Sequence, residues 1–178
     1  MSPSYMVPRP AAQEFSPYFA GYIGQVPPAA DPVELLEAQR ARVPALFSTV
    51  SEEGAAYRYA PEKWSVKEMV GHLADAERIF AYRLLRIART DQTPLAGFDE
   101  NAYVPAGRFD ARSLPDLVAE WEAVRDATLA LARGLPPEAW ERRGISNSEP
   151  ISARALLYII AGHVEHHLRV LKERYAVA

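Results

Sequence analysis

Apolar residues recur every three or four positions in four separate stretches of the chain, and each stretch opens on helix-capping chemistry. The first begins at "DPVELLEAQR". Asp31 is a good N-cap, Pro32 suits the first helical position, and Glu34 completes a capping-box pattern. Leu35, Leu36, Ala38, Val43, Leu46 and Phe47 supply the apolar stripe, and Pro44 predicts a kink. The second starts at Ser65, with Glu68 three residues on, and runs to about Arg89. Its core stripe is Val66, Met69, Val70, Leu73, Ala76, Phe80, Leu84 and Ile87. The third starts at Ser113, with Pro115 and Asp116 in its first turn, and ends at Gly134, a C-cap. The fourth runs from near Ser152 to about Tyr175.

The segments between these stretches complete the architecture. "SEEGAAYRYAPEKW" reads as a connection, and "PPEAWER" as one short turn. Residues 90–112 carry glycine and proline and no helical period. They form a loop of about 20 residues, against the roughly two to eight usual between neighbouring helices of a bundle. At roughly 3.3–3.6 Å per residue such a loop spans the full length of a bundle, which marks it as a crossover or a functional segment. No alternating strand pattern exceeds a few residues, and no internal repeat is present. The prediction is an all-α fold: a four-helix bundle with a long crossover loop between its second and third helices. Residues 1–178 read as a single domain, with an arm over 1–30 and the bundle over 31–178. The arm is rich in proline, but Phe15, Tyr18, Phe19 and Tyr22 fall within eight positions. Disordered segments are poor in aromatics, so the arm is expected to be ordered, extended with a short helical turn, and packed on the bundle.

Composition narrows the partners. A chain of 178 residues, 49% apolar and 24% charged, has the make-up of a soluble globular domain. With 20 Lys and Arg against 23 Asp and Glu, the net charge is −3, which leaves no basic footprint for nucleic acid. No window approaches the roughly 18 apolar residues of a membrane span, and "MSPSYMVPRPAAQEF" lacks the apolar region of a secretory signal. A cytoplasmic protein without nucleic-acid or membrane partners is expected; a homodimer through an exposed helix face is compatible with a bundle of this size. There are no cysteines. That excludes disulfides and thiolate ligands, so any thiol in the chemistry would arrive with a substrate.

The four histidines carry the candidate chemistry. In the last helix Leu156, Ile160, His163, His167 and Val170 are spaced 4, 3, 4, 3, the seam that faces a partner helix. His163 and His167 therefore share one face, one turn apart. His166 lies about 100° round from His167 and off the seam. His72 sits at the edge of the core stripe of the second helix, beside Met69, Ala76 and Ile79. A histidine at a core edge is commonly hydrogen-bonded structure, whereas two on one seam are costly to bury without partners. Three nitrogens from two helices, with a coordination position left open, is the arrangement of a catalytic rather than a structural zinc site.

Several quoted blocks together resemble a known family. These are "RPAAQEFSPYFAGYI", "YRYAPEKWSVKEMVGHLADAERIFAYRLLRIAR", "PLAGFDENAYV" and "LLYIIAGHVEHHLRVLKERY". In this order, and over nearly the whole chain, they resemble the DinB/YfiT-like superfamily of metal-binding four-helix bundles. The resemblance implies a metal site of one histidine on the second helix and an H-x3-H pair on the fourth, here His72, His163 and His167. It implies zinc or nickel as the divalent metal. It also implies a long connection between the second and third helices. Relatives with known activity point to low-molecular-weight thiols such as bacillithiol joined to an electrophile, or to a mycothiol-dependent isomerase, although fold alone does not fix function.

The leading expectation is thus a metal-dependent transferase that joins such a thiol to a small electrophilic substrate. The alternatives are a hydrolase using metal-activated water, or a stress-linked protein that binds metal or a small molecule without catalysis. Hydrolysis needs a carboxylate base: Asp75, Glu77, Asp99 and Glu100 are candidates. Asp75 points nearer solvent. Glu77 lies nearer the core, either as base or ion-paired with a bundle arginine such as Arg83. Arg78, Arg83, Arg86 and Arg89 repeat along the second helix; they read as a solvated face, with Arg83 best placed to bind an anionic substrate because it lies about three turns from His72 on the same side. Trp64 and Trp121 read as core or cap aromatics, and Tyr18 and Tyr22 as possible covers of the pocket.

Overall fold

Each of the four capping signals starts a helix in the computed structural model, which describes residues 6–175 and 177. Asp31 accepts from the Val33 amide (2.7 Å) to open α2, Pro32–Phe47, closing on Val33 rather than on Glu34. The reciprocal Ser65 and Glu68 box opens α4, Val66–Ala88. Ser113 caps α6, Leu114–Arg133, and the Ser152 hydroxyl accepts from Ala155 at the start of α7, Ala153–Tyr175. Helix α2 contacts α6 and α7, and α4 contacts the same two. Helices α2 and α4 thus occupy opposite corners of the bundle although they are consecutive long helices in the chain.

Helices α4 and α6 run in parallel, and this gives the long connection its task. It leaves the C-terminal end of α4 and returns to the N-terminal end, where Phe109 packs on Gly71 and the Ser65 hydroxyl donates to Asp110 (2.5 Å). A Cβ at Gly71 would fall 2.3 Å from the Phe109 ring, so this glycine admits the crossover. The connection is not structureless as expected: α5, Glu100–Gly107, lies within it and packs on α4. Its eight residues include Pro105 and are too few to show a repeating apolar period.

Two more short elements were not expected. Helix α3, Glu52–Ala56, capped by Ser51, lies in the first connection. Residues Arg143–Ser146 and Glu149–Ser152 form β1 and β2, an antiparallel hairpin turned by Asn147 and Ser148, both at positive φ. Four-residue strands give alternation no length in which to show. Leu95, from the long connection, bridges to Ser146 and ties that connection to the hairpin.

The arm is more helical than an extended strap. Two 3-10 turns, Ala12–Glu14 and Pro17–Phe19, lead into α1, Ala20–Gln25, which lies on α7. Gly162 permits the approach: a Cβ there would come within 1.9 Å of the Tyr22 carbonyl oxygen. Glu14, 1% exposed, accepts both bonds of a fork from Arg154 (2.7 and 2.5 Å). Burial pushes its carboxyl up, but the bonds from Arg154, the Ala11 amide and Ser152 outweigh that and hold it at about 2. Residues 1–5 of the expected arm lie outside the described residues.

The hydrophobic core falls into two clusters, one around Phe80, Leu156 and Ile160 and the other around Leu73, Trp121 and Leu171. Between them runs a buried polar layer. Arg125 donates to both oxygens of Glu77 (2.7 and 2.8 Å), to the Leu36 carbonyl and to Gln39; Gln39 in turn donates to Ala161 and Glu165 of α7. All four long helices meet there. Glu77 is ion-paired with a bundle arginine as one of its two readings expected, but the partner is Arg125 rather than Arg83. Arg125→Met would leave the Glu77 carboxylate buried and uncompensated, which costs roughly 3–5 kcal/mol. Urea unfolding should show that loss, with most of it recovered in the double variant Glu77→Leu/Arg125→Met. A single-variant loss below about 1 kcal/mol, the value of a surface pair, would show that the layer does not organise the bundle.

Candidate metal centre

The polar layer continues into three imidazoles. His72 Nε2 lies 3.0 Å from His163 Nε2, which lies 3.1 Å from His167 Nε2. The 3.5-residue seam of α7 and its antiparallel contact with α4 bring them together. All three rings are buried, at 6%, 4% and 8% exposure. The Trp64 ring, just ahead of the Ser65 cap, packs tilted against His72, with centroids 4.7 Å apart. Tyr22 of the arm meets the His163 ring edge-on at 5.2 Å. His166 stays at the side, half-buried between Tyr22 and His167.

Burial, which penalises the imidazolium, is the largest influence on each ring, and the neighbouring histidines add to it. His72 is pushed down to about 4, and His163 and His167 well below the usual histidine value. Three neutral rings therefore aim Nε2 at one point. Neutral imidazoles have one N–H each, and His167 Nδ1 is buried without a hydrogen-bond partner. Lone pairs crowded in this way favour a cation among them. The His72–His163 and His163–His167 separations lie within a few tenths of an ångström of the roughly 3.3 Å expected between nitrogens around a tetrahedral first-row ion, and the ligand atoms of all three residues lie within 4.8 Å of one another. Imidazole nitrogen suits several divalent first-row metals, zinc, copper, iron and nickel among them. Among the described residues these three are the group of histidines and carboxylates placed to hold a metal.

His72 and His163 line a cavity of about 300 Å³, while His167 stands behind them. One wall is a single stripe of α4: His72, Ala76, Phe80 and Arg83. The arm contributes Ser16, Tyr18, Phe19 and Tyr22. The long connection gives Gly97, Phe98 and Glu100, and the hairpin gives Ser146, Asn147 and Glu149. The expected cover by Tyr18 and Tyr22 is present.

The candidate carboxylates separate clearly. Glu77 is fully engaged by Arg125 and does not line the cavity. Asp75 pairs with Arg78 near the surface, and Asp99 caps α5 through the Asn101 amide. Glu100 remains, half-buried in the cavity wall beside Tyr22, whose hydroxyl is pushed up mainly by burial and in part by the Glu100 charge. Arg83 also lines the cavity, and burial lowers its pKa. Sequence reasoning missed the hairpin and Phe98. The polar "SNSE" between Ile145 and Ile151 was the available sign of a two-residue turn.

These neutral rings make the metal-free protein sensitive to acid. Unfolded, each imidazole takes up a proton near pH 6.5. Folded, His72 does so only near 4, and burial holds the other two well below the usual histidine value. Below pH 6.5 the unfolded chain binds more protons, so stability is full above that pH and falls towards pH 4. His72 alone accounts for on the order of 3 kcal/mol of that loss at pH 4. Glu14 titrates lower, so the drop between pH 6.5 and 4.5 belongs to the histidines. Melting curves of metal-free protein should show the midpoint falling across that window; an unchanged midpoint from pH 7 to 5 would contradict buried neutral rings.

Comparisons with known proteins agree with this fold. The family model of the DinB superfamily matches residues 35–171. A protein of Bacillus licheniformis, named as a candidate metal-dependent hydrolase, is 31% identical over 128 residues, 69% of this chain and 71% of its own. The solved structure of YfiT from Bacillus subtilis, described as a probable metal-dependent hydrolase with an unusual four-helix bundle topology, superposes with a TM-score of 0.73. It does so at 20% identity, over 90% of this chain and 91% of its own. At that identity the likeness is one of fold. With the family match running from the first long helix to the last, through all three converging histidines, the chain belongs to the DinB superfamily.

Proposed function

We propose that the protein is a metal-dependent hydrolase of a small-molecule ester or amide, with His72, His163 and His167 holding one divalent ion, zinc or nickel. The observation that carries this reading is the convergence of three buried, neutral imidazoles at a cavity whose wall also holds Glu100. A divalent ion held by these three residues would supply Lewis acidity beside the cavity. The chain's own residues do the rest. Trp64 and Tyr22 fix the rings of His72 and His163. Glu100 takes the proton of the attacking water and passes it to the leaving group. Phe19, Tyr22, Phe80 and Phe98 enclose the substrate and exclude bulk water. The names carried by the relatives support the same reaction class.

Thiol transfer is the second reading. It uses the same cavity, and the absence of any cysteine means that the thiol would come from outside. One experiment separates the two. Zinc- and nickel-loaded protein is assayed against a panel of aryl esters and, separately, with bacillithiol or a simpler thiol and monochlorobimane. Hydrolysis predicts ester turnover that is lost on chelation and falls roughly 100-fold or more in Glu100→Gln. Metal should be lost from His72→Ala, His163→Ala and His167→Ala but kept by His166→Ala. Metal-dependent bimane conjugation without ester turnover would instead establish transfer. No metal-dependent turnover in either assay would overturn both readings.

A further inference from the structure

Arg83 has a buried guanidinium without a counter-charge. Its side chain is 4% exposed, and its one hydrogen bond runs from Nη2 to the Ala96 carbonyl (2.7 Å). Its Cζ lies over the rings of Phe80 (5.9 Å) and Phe98 (5.6 Å). No carboxylate pairs with it among the described residues. The other deeply buried guanidinium, Arg125, is closed on both sides by Glu77, Gln39 and Leu36. A buried charge left open is costly, and Arg83, in the cavity wall, keeps N–H donors beyond the one given to Ala96, a fork that suits a planar anion.

The placement gives the fork a purpose. Arg83 closes the α4 stripe that His72 opens, with Ala76 and Phe80 between them. Contact with Phe80, three residues earlier, shows that the side chain leans back along the helix towards the histidines. Arg83 follows His72 by eleven residues, about three turns of helix, so the two ends of the cavity wall are on the order of 16 Å apart along α4. The cavity also holds two carboxylates, Glu100 beside Tyr22 and Glu149 on the exposed rim of β2; neither pairs with Arg83.

From this arrangement we infer that the cavity selects an elongated monoanion. Arg83 receives its carboxylate, Phe80 and Phe98 clasp an apolar or aromatic middle, and its reacting group lies at the histidines. Glu100 and Glu149 disfavour a second negative charge. The inference rests on the cavity being the substrate site, and it names the class of substrate within it. Arg83 acts here as a specificity residue.

Binding tests it independently of turnover. Isothermal titration is run with 4-phenylbutyrate and with its neutral isostere 4-phenylbutyramide, on zinc-loaded and on metal-free protein. The acid should bind about tenfold or more tightly than the amide in both forms, and Arg83→Met should bring the two within about twofold, with Arg83→Lys between. Because Arg83→Met removes an unpaired buried charge, its ligand-free melting midpoint should be no lower than that of the parent. Equal binding of acid and amide would overturn the inference. So would a preference that survives Arg83→Met, or one that vanishes with zinc, since the anion would then sit on the metal. A charge preference that depends on Arg83, in a protein that turns over no ester, would contradict only the hydrolase reading.

Discussion

The two-pronged bond between Arg125 and Glu77, 0% and 2% exposed, is the constraint on which the rest of the bundle depends. Apolar side chains alone allow four helices to slide and rotate past one another at little cost, since one Leu packs much like another. A buried charge pair does not. Its oxygens and nitrogens must meet within tenths of an ångström or leave a charge stranded. Here the pair joins α4 to α6, reaches α2 through Leu36 and Gln39, and reaches α7 through Gln39 and Ala161. One register of the four helices satisfies these bonds together. In that register His72 of α4 faces His163 and His167 of α7, and the Arg125 charge is close enough to depress His163.

That layer also explains why the core divides in two. Above and below it the side chains are apolar and fully buried; within it every long helix contributes a polar group. The histidines occupy the side of the layer that α6 leaves open, and the arm closes over them. Gly162 lets α1 lie directly on α7, Glu14 clamps the arm to Arg154, and Arg9 donates to the Ile23 and Val26 carbonyls. The cover over the rings is thus fixed by charge and by close backbone contact. Burial keeps the rings neutral, and neutral rings are what a metal requires of imidazole.

Much of this was legible in the sequence, for physical reasons particular to each part. Ser65, Ser113 and Asp31 announce helix starts because orphan amides need acceptors, and a 3.5-residue seam places His163 and His167 inward and His166 to the side. The structure brings His72 to the same point. What stayed hidden depends on contacts distant in sequence. That Glu77 belongs to Arg125 of α6 rather than to an arginine of its own helix such as Arg83 depends on which helices share a layer. Helices α3 and α5 and the hairpin are too short for a period to emerge, and they are held by packing on the bundle. The cavity joins four segments far apart in the chain, so Phe98, Asn147 and Glu149 carried no mark of it. Arg83 was marked only by its place on the stripe of His72; that it lacks a partner is a property of the folded state.

The most direct test of the central claim, that three histidines from two helices hold one divalent ion, is X-ray absorption at the zinc edge of the loaded protein. The account predicts a first shell containing three imidazole nitrogens at about 2.0–2.1 Å, with the outer-ring scattering that identifies histidine and one further light-atom ligand. A shell with one imidazole or none, or one dominated by carboxylate oxygens, would contradict it.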